Sequence, residues 1–201
     1  MCSVYRKSVA LSLHFFNSPK IDKSIQKNSA VPQSGLILAA LRRQQKMNNP
    51  FMARAIQLSI ENVHSGHGGP FGAVIVRGDN IVAEGTNQVT SSNDPTAHAE
   101  ILAIRQACAK LGAFELKDCE LYTSCEPCPM CLGAIYWARL TRLYFANSAE
   151  DAANIGFDDS FIYTELPLPH FQRRIPAIQI MRDEALAGFR AWAEKADKIR
   201  Y

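Results

Sequence analysis

No stretch of this 201-residue chain approaches the roughly 20 uninterrupted apolar residues that a membrane-spanning helix needs. Nothing in it reads as a transmembrane segment, and no membrane partner is expected. Acidic side chains are scarce at one end. Residues 1–46 hold eight basic side chains against a single acid, Asp22, a local charge of +7. The whole chain carries only +3, which leaves −4 on residues 47–201. A body of that sign has little general attraction for phosphate backbones, so nucleic acid is not the expected partner. A clear secretory signal is also lacking, which points to a reducing, cytoplasmic setting. What is present is a hydrophobic fraction of 47%, enough for a sizeable core.

Residues 1–46 lack sustained periodicity and are rich in Ser, Lys and Asn, as suits a segment that does not fold alone. Three readings compete: a start-site artefact with Met47 the initiator, a basic targeting peptide, or a short interaction tail. The first is preferred, because the folded pattern begins right after Met47. Residues 47–201 are then the working domain.

From Pro50 the pattern sharpens. Met52, Ile56, Ile60 and Val63 recur at helical spacing and predict an amphipathic helix over 51–64. Residues 73–76 and 81–85 read as strands around the turn "RGDN". Asp94 is placed to cap a helix beginning at Pro95 and stopped by Gly112. Strands are predicted at 119–123 and 142–146, with a helix opened by Pro129 between them. A short helix follows at 149–156, then a strand at 177–181 and a helix over 184–197. Helices alternating with strands predict an α/β fold with a mixed five-stranded sheet.

Three of the six cysteines, Cys125, Cys128 and Cys131, crowd into seven residues. Cys128-Pro-Met-Cys131 is a C-x-x-C at a helix start. There both sulfurs share the first turn and the helix dipole favours thiolates. His98 sits at another helix start, so two helix ends can aim one imidazole and two thiols at one point. That is a donor set for zinc. Two thiolates cancel the charge of Zn²⁺, so water beside such a centre is less acidic than on a tri-histidine zinc, and a nearby base becomes useful. Glu100, two residues past His98, is that base. His98-Ala99-Glu100 followed by Pro127-Cys128-Pro129-Met130-Cys131 matches the H-x-E…P-C-x-x-C signature of zinc-dependent base deaminases. Two other readings of the cysteines are a redox pair, which gives His98 and Glu100 no task, and a closed structural zinc with Cys125 as fourth ligand. Cys108 and Cys119 read as small buried residues or bystanders. His64 and His67 flank a glycine-rich loop and read as solvated, and His14 and His170 have no supporting neighbours.

On "GGPFGAVIV", "TSSNDPTAHAE", "YTSCEPCPMCLGAIYWAR" and "IGFDDSFIY", residues 48–201 resemble the purine branch of the cytidine deaminase superfamily, most of all the small bacterial guanine deaminases. The resemblance implies a three-layer α/β/α sandwich and one zinc per subunit, held by His98, Cys128 and Cys131. It implies attack by zinc-activated water at C2 of guanine, giving xanthine and ammonia, with Glu100 as proton carrier. It further implies that Asn87 hydrogen-bonds the purine, Phe71 packs on its face, and Asp159 accepts from its N–H groups. Ala99 and Ser124 would offer backbone groups. It implies a domain-swapped homodimer with Tyr201 laid over the neighbour's purine.

The rivals differ in the pocket, not in the metal centre. A guanosine or other amino-heterocycle deaminase would need a differently shaped wall. A tRNA adenosine deaminase would need a basic groove, and usually carries Glu and Pro-Val where this chain has Gly69-Pro70-Phe71. A zinc-stabilised binding module would leave Glu100 idle.

Overall fold

The computed structural model describes residues 48–200. The readings made for residues 1–46, for Met47 and for Tyr201 lie outside the described residues. The elements run α1 (Pro50–Ser65), β1 (Gly72–Arg77), β2 (Asn80–Thr86), α2 (Val89–Ser92), α3 (Ala99–Leu111), β3 (Cys119–Cys125) and α4 (Pro129–Trp137). After them come β4 (Arg142–Asn147), α5 (Ala149–Ala153), α6 (Ser160–Glu165) and α7 (Arg182–Glu194). The sheet order is β2-β1-β3-β4, with β3 and β4 parallel and the other pairs antiparallel.

The middle strand explains the layers. Val74 and Val76 face α1, where they pack with Ala55, Leu58 and Tyr122. Ala73 and Ile75 face the other way, into a larger core with Ala99, Ala103, Leu121 and Ile135. A strand covered on both faces has no polar alternation, which is why "AVIV" is apolar throughout. Each of its larger side chains gains roughly 1.5–3 kcal/mol from burial. Helices therefore cover both faces, and the predicted α/β/α sandwich stands.

Close approach to the sheet depends on two glycines. A Cβ on Gly85 would lie 2.2 Å from the Ala99 carbonyl oxygen, and one on Gly72 would lie 2.4 Å from that of Ala55. Small residues at Ala99 and Ala103 complete the fit, so α3 rests directly on β2. The site described below starts from that helix.

Four expectations are corrected. The sheet has four strands among the described residues, not five. Residues 177–181 alternate apolar and polar like a strand, but no neighbour pairs with them, and Ile178 and Ile180 are exposed. The helix expected from Pro95 begins at Ala99. The Asp94 carboxylate accepts from the Thr96 N–H and hydroxyl, closing a local turn instead of a helix cap. The stripe Ile56, Ile60 and Val63 on α1 is 39–50% exposed, and the inward face is Ala55, Leu58, Ser59 and Asn62. That face seats on Gly72, where a Cβ would lie 2.4 Å from the Ala55 carbonyl oxygen and 2.7 Å from Leu58 Cβ. The last helix runs Arg182–Glu194 rather than 184–197. No helix of the described residues is long and apolar enough to cross a membrane.

Candidate metal centre and active site

His98 is the N-cap of α3 and Cys128 the N-cap of α4. Neither side chain turns back to cap its own helix, unlike the Ser, Thr or Asp usual at that position. Both point instead to a common locus, joined by Cys131 from the first turn of α4. His98 Nδ1 lies 3.6 Å from Cys128 Sγ and 3.5 Å from Cys131 Sγ, and the three donor atoms lie within 4.8 Å of one another. Tetrahedral zinc, with bonds of roughly 2.3 Å to sulfur and 2.0 Å to nitrogen, sets its ligands about 3.5 Å apart. The donor set and its spacing fit zinc.

The electrostatics agree. On their own, the two thiols share one proton. Hydrogen bonds from Cys131 and His98 hold the Cys128 thiol down to about 4 despite its burial. The Cys128 sulfur and burial in turn push Cys131 far above the thiol range. The His98 ring is raised by its hydrogen bond to Cys128. A divalent cation at this locus would let both sulfurs ionise.

Cys125 does not join the cluster. Its S–H donates to the Ser148 carbonyl at 3.5 Å, and burial pushes the thiol up to about 11. The closed four-ligand zinc weighed from the sequence therefore lacks its fourth sulfur.

Glu100 lies in the first turn of α3, only 6% exposed. Its Oε1 accepts from the Thr123 hydroxyl at 3.2 Å, and its Oε2 lies 3.5 Å from Cys131 Sγ. Burial raises its pKa above the usual carboxylate value. A carboxyl group shifted in that direction holds a proton more readily than an exposed one, which suits a side chain that must carry protons.

These groups open on a cavity of about 540 Å³, within the usual range for small-molecule sites. His98, Glu100 and Cys128 form its floor, and Phe71, Asn87 and Asp159 line it. Phe71 meets Phe157 edge to face, with centroids 4.9 Å apart. Asp159 is the N-cap of α6, and its carboxyl is raised, first by burial and then by the charge of Cys128. Ala99 and Ser124 are not among the lining residues. Both are buried, and the Ser124 hydroxyl accepts from the Gly72 N–H. Thr123 and Phe157 were not singled out from the sequence. A lone Thr inside an otherwise buried strand was the available signal for the first.

A model of the cytidine and deoxycytidylate deaminase zinc-binding region matches residues 45–147. The chain belongs to this family. The deaminase chain is also 58% identical over 151 residues to the guanine deaminase of Bacillus subtilis (strain 168), covering 75% of itself and 97% of that protein. The X-ray structure of guanine deaminase from Bacillus subtilis superposes with a TM-score of 0.75 at 57% identity, covering 77% of this chain and 99% of that one. The tRNA-specific adenosine deaminase of Aquifex aeolicus (strain VF5) is 44% identical over 77 residues, which is 38% of this deaminase chain and 51% of that one.

Proposed function

We propose that this chain is a zinc-dependent guanine deaminase, a hydrolase that converts guanine and water to xanthine and ammonia. The observation that carries the reading is the 58% identity that spans 97% of a guanine deaminase. The match to the tRNA-specific enzyme stops at about half of either length or less.

His98, Cys128 and Cys131 would hold the ion. When bound, zinc lowers the pKa of water and so supplies a nucleophile at neutral pH. The remaining work falls to the chain itself. Thr123 holds one oxygen of Glu100 by its hydroxyl, which fixes the carboxylate plane. Glu100 takes one proton from water and passes it to the ring nitrogen beside C2, then takes the second from the hydroxyl now on C2 and delivers it to the amine, which leaves as ammonia. Phe71 packs on the base, Asn87 hydrogen-bonds it, and Asp159 accepts from its N–H groups, a task that only an acceptor can fill.

The ammonia released from guanine, guanosine, adenine, cytosine and cytidine by purified protein tests the assignment. Guanine alone is expected to turn over at a useful rate. Turnover of guanosine or of another amino-heterocycle in its place would give the site to one of those rivals.

The active form is a homodimer that exchanges its C-terminal segments, and it works in the cytoplasm. What supports the dimer is the apolar surface left open beyond α6. Phe171, Ile175, Ile178, Ile180 and Phe189 are all more than 75% exposed, and α7 has no buried residue. Surfaces of that kind mark contact with another chain. Tyr201 then covers the purine of the partner subunit. Deleting residues 198–201 is expected to lower kcat/KM roughly 100-fold and to shift the melting temperature by no more than a few degrees. Equal activity after the deletion removes this role for the segment.

A further inference from the structure

Asn62 lies in the last turn of α1, just before the chain reverses at Gly66, whose φ is +71°. It is only 4% exposed, and nothing in its helix uses its side chain. Its Nδ2 donates to two backbone carbonyls from different parts of the chain. One is that of Gly69 in the loop after α1, and the other is that of Asn87 after β2, each at 2.9 Å. The rest of the Asn87 peptide is held as firmly. Its N–H donates to the Phe71 carbonyl at 3.1 Å. Its side-chain Oδ1 accepts from the Gly69 and Val89 N–H groups, both at 3.3 Å. Gly68 presses on the same carbonyl, since a Cβ there would lie 2.2 Å from Asn87 O.

The orientation has a chemical consequence. An amide whose oxygen is committed to two backbone donors meets a ligand through its NH₂ group. Asn87 is thus fixed as a donor, and the group it selects is an acceptor such as a purine ring nitrogen or carbonyl. We infer that Asn62 is a positioning residue for substrate recognition: it clamps the 66–71 loop to Asn87 and so fixes the donor that Asn87 presents to the base. This rests on the proposed contact between Asn87 and the purine.

A double-mutant cycle on the zinc-loaded enzyme separates the two ideas. Asn62→Ala is expected to raise KM for guanine roughly tenfold, with kcat held within about twofold. Affinity for xanthine, measured by calorimetry, should weaken by a similar factor, and zinc content should stay at one per chain. Asn87→Ala should raise KM at least as much. In the Asn87→Ala background, adding Asn62→Ala should change KM less than about twofold, because the group it positions is gone. A tenfold effect in both backgrounds, or a fall in kcat alone, would make Asn62 a residue of the fold and overturn the inference. If Asn87→Ala raises KM and Asn62→Ala does not, the inference falls while the purine contact stands. If Asn87→Ala leaves KM unchanged, the contact itself is wrong and the inference goes with it. Should Asn62→Ala fail to fold, Gly68→Ala displaces the same carbonyl from the other side. It is expected to raise KM about tenfold, and an unchanged KM overturns the clamp.

Discussion

Replacing Glu100 by Gln is expected to lower kcat for guanine by about 10³- to 10⁴-fold while zinc stays at one per chain. The size follows from the double duty of this side chain. A glutamine amide keeps the volume and accepts the Thr123 hydrogen bond, but it neither takes a proton from water nor returns one to the leaving amine. It also carries no negative charge beside the metal locus. Glu100 is not a member of the three-atom donor cluster, so metal content should not follow activity down. Metal analysis alongside steady-state kinetics checks both halves. A variant that kept a tenth of its turnover would leave Glu100 as a buried polar residue and take the proton transfers away from it.

Replacing Cys131 by Ser is expected to act on a different quantity. Cys131 is fully buried in the first turn of α4, with its sulfur against His98 and Glu100. A serine hydroxyl remains protonated at neutral pH and is a poor zinc ligand, so two strong donors remain where three are needed. Zinc content should fall well below one per chain, and activity should fall by at least about 10⁴-fold. Stability should fall as well, because a ligand that binds only the folded state at a thousand times its Kd adds about 4 kcal/mol. Thermal melts with and without a chelator give the internal control. Chelation should shift the parent protein strongly and the variant little. A variant that retained full zinc and full turnover would take Cys131 out of the metal site.

The parts of this site that the sequence exposes are those whose geometry is set locally. Cys128 and Cys131 belong to one helical turn, and His98 and Glu100 straddle one helix start, so their spacing alone carries the arrangement. Bringing the two turns together needed only the expectation that both helices stand on one sheet. The errors arise where a local pattern meets a distant constraint. Asp94 has the chemistry of a helix cap, yet Thr96 offers nearer donors. Ile56 and Ile60 have the periodicity of a buried stripe, yet the face of the helix seated on Gly72 is that of Ala55, Leu58 and Ser59. Residues 177–181 have the alternation of a strand but no neighbour. Asn62 and Thr123 were invisible for the same reason, since their partners lie 25 and 23 residues away.

The cavity is assembled from two kinds of material. Its reactive floor comes from two helix starts, that of α3 seated on β2 where Gly85 and Ala99 leave no slack. Much of the wall that meets the base comes from residues 66–71 and 149–162, which contribute no strand. Exchanging those two peripheral stretches can therefore retune which ring is admitted without disturbing how its amine is removed. A scaffold divided in this way can diversify its diet while keeping one reaction.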